Sequence, residues 1–159
     1  IIFKFDFKSE KERFFMKKLI IVVVSLMVTT SSFAGYTSDM INRMEIKEKS
    51  VEKSFGGSNA EMKEATSVIL EGWDSELNKV YKLLMKKLSK SGQIKLINEE
   101  KLWIKSRDNK AKEIANEFCD TVNGERLCGT GYGLAYTQSL VESTKDRAVE
   151  LSKRYEKLK

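Results

Sequence analysis

At 159 residues the chain has room for one domain and little more, and its 41% apolar and 33% charged fractions exclude wholesale disorder. It has no histidine, which removes the commonest general base, every Ser-His or Cys-His nucleophile and most zinc ligand sets. It also has no proline, so no helix in it must break for want of an N–H donor, and the formal charge of +6 is spread through the chain.

Residues Ile1 to Phe15 precede Met16, which makes a better start, and read as an over-extended beginning. From Met16 to Ala34 the order is two lysines, ten apolar or small residues (Leu19 to Val28), then a polar segment ending Ser32-Phe33-Ala34. That is the layout of a secretory signal peptide cleaved before Gly35, and the run is too short for a membrane anchor. No cysteine follows the cleavage site to carry a lipid, so the expected product is a free periplasmic or secreted protein. Export also changes the charge: residues 1–34 hold six of the 29 bases and three of the 23 acids, which leaves +3 on the remainder. Such a mild, interspersed excess is a solvated surface and not a nucleic-acid footprint.

Residues 35–57 are polar, with apolar positions at Met40, Ile41, Met44, Ile46 and Val51, and permit either a short amphipathic helix or a mobile leader. The domain proper is expected over 58–159. Ser58 and Glu61 have capping-box spacing, and Met62, Ala65, Ile69, Trp73, Leu77, Val80, Tyr81, Leu84 and Leu88 then recur in steps of three and four. A break is expected over Ser89 to Gln93, centred on Gly92. A second stripe comprises Ile94, Ile97, Trp103, Ile104, Ala111, Ile114, Ala115 and Phe118. Cys119 to Gly133, with four glycines and an Asn-Gly pair, reads as a loop, and a last helix runs through Leu134, Leu140, Thr144, Ala148, Leu151, Tyr155 and Leu158. No segment alternates long enough to make a strand. The expected fold is all-α: a three-helix antiparallel up-down-up bundle, each stripe buried against another, with a disulfide-braced loop between the second and third long helices.

Three segments carry a resemblance. Trp73 to Leu88 (WDSELNKVYKLLMKKL), Glu99 to Asp108 (EEKLWIKSRD) and Ser143 to Leu151 (STKDRAVEL) resemble, in order and spacing, the LprI-like lysozyme-inhibitor family of small exported helical domains. The similarity spans roughly Glu61 to Leu151 and picks out Asp74, Asn78, Trp103, Arg107, Asp108, Thr144 and Arg147. These read as a polar seam where helices meet, with a ligand site as the alternative. The family usually carries cysteines where this chain has Ala111 and Ser139, and often another near Ala65. Loss of the first two together fits a shared bridge, since one survivor would be a free thiol in an oxidising compartment.

Cys119 and Cys128, the only cysteines, are expected to pair, because a metal site would need two more soft or nitrogen ligands and none are near. At the tip of the loop they close, Asn123, Glu125 and Arg126 read either as a solvated turn or as a presented binding epitope. Gly129 to Gly133 lacks the strand and the Lys-Ser/Thr ending of a phosphate loop and reads as a helix entry. No carboxylate pair sits in an apolar setting that would make a general acid, so no enzyme, cofactor or metal is expected. The resemblance implies a lysozyme as partner, and the competing reading is a periplasmic scaffolding module with another protein or envelope partner. Against the first stands the charge: +3 gives no steering toward the strongly basic lysozymes.

Overall fold

The computed structural model describes residues 35–158. The proposed start region and signal peptide, 1–34, lie outside them. The elements are α1 (Tyr36–Val51) with a 3-10 turn at Glu52–Gly56, α2 (Asn59–Lys87), α3 (Lys90–Asn116), the strands β1 (Cys119–Val122) and β2 (Glu125–Cys128), and α4 (Gly131–Glu156).

Each boundary has a local cause. The Ser58 side chain accepts from the Glu61 N–H (3.3 Å) while Glu61 accepts from the Ser58 N–H (2.7 Å), the capping box expected for α2. Between α2 and α3 the break is narrower than the sequence suggests. Only Leu88 and Ser89 are extended, and Ser89 accepts from the Gly92 N–H, so Gly92 lies in the first turn of α3 instead of at the break.

The bundle has four helices rather than three, because the polar stretch after Gly35 is helical and buries Met40 and Met44 completely or nearly so. Each such methionine contributes about 1.5–3 kcal/mol relative to exposure, enough to order a segment whose propensity alone leaves it marginal. The side-chain pairings fix the directions. Asn59 meets Thr130 and Trp73 meets Lys145, so α2 and α4 run parallel. Arg147 meets Glu100 on α3, Arg107 of α3 meets Asp74 on α2, and Thr37 of α1 meets Ser152. The three long helices therefore alternate up, down, up, and α1 is antiparallel to α2 and α4. Helix α4 packs against all three others. Gly72 marks the approach of α1 to α2, where a β-carbon would come within 2.7 Å of the Met44 methyl and the Lys47 stem.

Ala65, Ile69, Trp73, Leu77, Val80 and Leu84 form the α2 contribution to the core, as the stripe predicts. For α3 the expected stripe holds in part. Ala111 and Ala115 are buried and Ile97, Trp103 and Ile114 half-buried, but Ile94, Ile104 and Phe118 are exposed, and Leu96, outside the stripe, is fully buried. The reason is that the middle of its inner face is charged, occupied by Glu99, Glu100 and Arg107 paired with neighbouring helices. The loop at Cys119–Gly133 also departs from expectation, since eight of its residues form an antiparallel hairpin. No helix among the described residues is long and apolar enough to cross a membrane.

Candidate functional site

Helices α2 and α3 lie apart at their centres, leaving a cleft of about 440 Å³ lined by Asp74, Leu77, Asn78, Tyr81, Trp103 and Arg107 among others. Trp103 and Arg107, one turn apart on α3, share a face, and the guanidinium carbon sits 5.1 Å from the indole centroid. The same guanidinium donates to Asp108 (3.0 Å from Nε, 2.9 Å from Nη2) and lies 3.8 Å from Asp74. Burial holds the Asp74 carboxyl above the ordinary carboxylate range, and the Arg107 charge only partly offsets it. Asn78 turns its amide back to the Asp74 carbonyl at 2.9 Å.

Thr144 and Arg147 belong to a different contact. Arg147, 8% exposed, is held between α3 and its own helix: Nε and Nη2 donate to Glu100 at 2.9 and 2.5 Å, and Nη1 donates to Glu150 at 2.6 Å. Burial disfavours its charge, but the hydrogen bonds to the two glutamates outweigh that and raise its proton affinity. Arg154 extends the array by donating to Glu99 at 2.7 Å, which holds that carboxyl below its usual range. Thr144 is fully buried, and its hydroxyl has no hydrogen-bond partner among the described residues, a property shared with Ser139. The expected seam is thus two clusters joined only through Glu100, which also faces the α2–α3 cleft.

The hairpin carries the other predicted group. Cys119 and Cys128 are disulfide-bonded and face each other across the ladder. Asn123 (φ 53°) and Gly124 (φ 84°) both lie in the left-handed region, as a two-residue type I′ turn requires. The register puts Cys119, Thr121, Arg126 and Cys128 on one face and Asp120, Val122, Glu125 and Leu127 on the other. Arg126 does not reach beyond the tip. Its guanidinium donates to Asn116 at the end of α3 and approaches the Cys119 sulfur at 3.4 Å. On the opposite face Val122 and Leu127 are about half exposed, at 47% and 54%.

Several participants escape a reading by residue type and spacing. Glu100, Glu99, Glu150 and Arg154 are ordinary charges in sequence, though the first two open the very segment EEKLWIKSRD. Glu76, 4% exposed, binds Arg43 of α1 through two bonds (3.0 and 2.7 Å) and Lys79 at 2.9 Å, and the Arg43 bond lowers its affinity for a proton. Its position between two apolar stripe residues, Trp73 and Leu77, is the one sign of that burial. Among the described residues, no group of three or more cysteine and acid side chains is arranged to hold a metal ion.

A family model described as lysozyme inhibitor LprI matches residues 52–151. No curated protein and no solved structure matches the chain.

Proposed function

The chain belongs to the LprI lysozyme-inhibitor family, and from that premise we propose that it is an exported protein that binds a lysozyme and occludes its active cleft. The family match over 100 of the chain's residues carries this reading. The hairpin supports it physically: a loop closed by a disulfide and a tight turn loses little conformational freedom on association. Its tip, Asn123 to Arg126, is exposed to a partner.

Arg126 is the residue proposed to meet the enzyme's catalytic carboxylates, and to do so its guanidinium must exchange Asn116 for the enzyme. A cell-wall clearing assay titrated with the purified protein tests the reading. Inhibition should saturate with protein concentration and be abolished by Arg126→Glu. Inhibition unchanged in that variant removes Arg126 from the mechanism, and absence of inhibition by the unsubstituted protein against a panel of lysozymes removes the function.

A further inference from the structure

Between the C-terminal half of α1, its 3-10 turn, α2 and α4 lies an open groove of about 630 Å³. Its floor and one lip are apolar: Ile69 of α2, Val141 of α4 and Phe55, the last 41% exposed. Around them stand four carboxylates, Glu45, Glu48, Glu52 and Glu142, against two ammonium groups, Lys49 and Lys145. The acids therefore outnumber the bases here on a chain whose overall charge is positive.

Those carboxylates differ in state from the ones that join the helices to one another. Glu76, Glu99, Glu100, Glu150, Asp74 and Asp108 each pair with an arginine or lysine. None of the four groove glutamates forms an ion pair among the described residues, although Lys49 and Lys145 are at hand. Lys145 instead lies over the Trp73 ring, 5.5 Å from its centroid, and Glu48 accepts from the Trp73 indole N–H at 3.3 Å. Carboxylates free of ion pairs, set around an apolar floor that is itself buried and an apolar lip at Phe55 that is exposed, complement a cationic chain with an apolar side chain between its bases. The bases satisfy the acids while the apolar group packs on Phe55 over Ile69 and Val141.

We propose that this groove is a docking site for a cationic polypeptide segment bearing one large apolar side chain. In naming a polypeptide, the assignment rests on the protein-binding role proposed above. It would also supply the local attraction to a basic enzyme that the net charge of the chain denies. On α4 the groove begins at Gln138, two turns past the first residue of the helix, so hairpin and groove lie within reach of one partner.

Trp73 provides the readout, since both Glu48 and Lys145 touch it from the groove. Its indole N–H resonance, told apart from that of Trp103 by a Trp103→Phe variant, is followed while acetylated Lys-Lys-Phe-Lys-Lys amide is added to the 15N-labelled protein. Two control peptides replace the four lysines by glutamates or the phenylalanine by glycine. The cationic, apolar peptide should shift the Trp73 signal saturably, bind more weakly as salt rises, and bind at least about tenfold more tightly than either control. The combined Glu45→Gln, Glu52→Gln and Glu142→Gln variant should lose about tenfold in affinity at an unchanged circular dichroism spectrum, and Phe55→Ala should weaken binding too. Equal binding of the acidic peptide, salt-independent binding, or a Trp73 signal that never moves overturns the proposal. Should the neutralised variant fail to fold, the salt series and the control peptides on the unsubstituted protein decide. Peptide binding without lysozyme inhibition leaves the groove in place and overturns the proposed function; inhibition without peptide binding does the reverse.

Discussion

Arg147 and Thr144 stand one turn apart on α4 and are buried to similar degrees, yet their contributions to stability have opposite sign. Truncating Arg147 to alanine strips Glu100 of its two bonds while that carboxylate stays largely covered, an uncompensated charge that costs about 3–5 kcal/mol in such settings. Urea unfolding of Arg147→Ala should show a loss of that order. Thr144 carries a buried hydroxyl without a partner, so Thr144→Val exchanges it for a methyl group of the same shape and should stabilise the protein by about 1 kcal/mol in the same experiment. At this scale the sequence is only half legible. The i, i+4 and i, i+3 spacings correctly group Trp103 with Arg107 and Thr144 with Arg147 by face. They say nothing of which residue on another helix completes each group, and so Glu100 and Glu76 stay hidden: partner choice is set by the packing of distant segments.

Among the elements, the helices were readable and the strands were not. A run of nine stripe positions on α2 overdetermines its face, and six of them are core residues. Four-residue strands show too little alternation to register as a period, although Asn123-Gly124 is by itself a strong signal for a two-residue hairpin. The stripe of α3 is found only in part for a different reason: Ala111 and Ala115 are buried as expected, but the middle of its inward face is built of ion pairs that an apolar count cannot find. Ala111 and Ser139 follow from the observed register. With Glu100 bonded to Arg147 and Glu99 to Arg154 on antiparallel helices, these two buried residues fall within about one turn of each other. An Ala111→Cys, Ser139→Cys variant should therefore form a second disulfide on oxidation, seen as two fewer thiols by labelling under denaturing conditions. Failure of the pair to close would refute the α3–α4 alignment.

For the whole bundle, the charged contacts between helices imply a stability that depends on acidity. Glu76 and Glu99 have their proton affinities lowered in the folded state, chiefly by the hydrogen bonds from Arg43 and Arg154. A depressed carboxylate contributes stability that is complete above its unfolded value of about 4.3 and is lost as pH falls through the folded value. Asp74 acts in the other direction, since burial raises its affinity and its contribution grows on acidification. Glu61 of the capping box is depressed as well, by the hydrogen bonds from Ser58, and with three depressed groups against one raised, stability from denaturant titrations should fall below about pH 4. The fall should be shallower in Glu76→Gln, whose neutral amide has no proton to take up; an equally steep fall there would assign the acid response elsewhere.

The place of α4 has a consequence for how the molecule comes into being. It is the last of the described elements, and it is also the helix on which the other three rest. A nascent chain emerging amino end first exposes three amphipathic segments with no common support until α4 arrives. The export proposed above would draw on this: the chain would stay loose enough to thread through a narrow channel before α4 seals it on the far side.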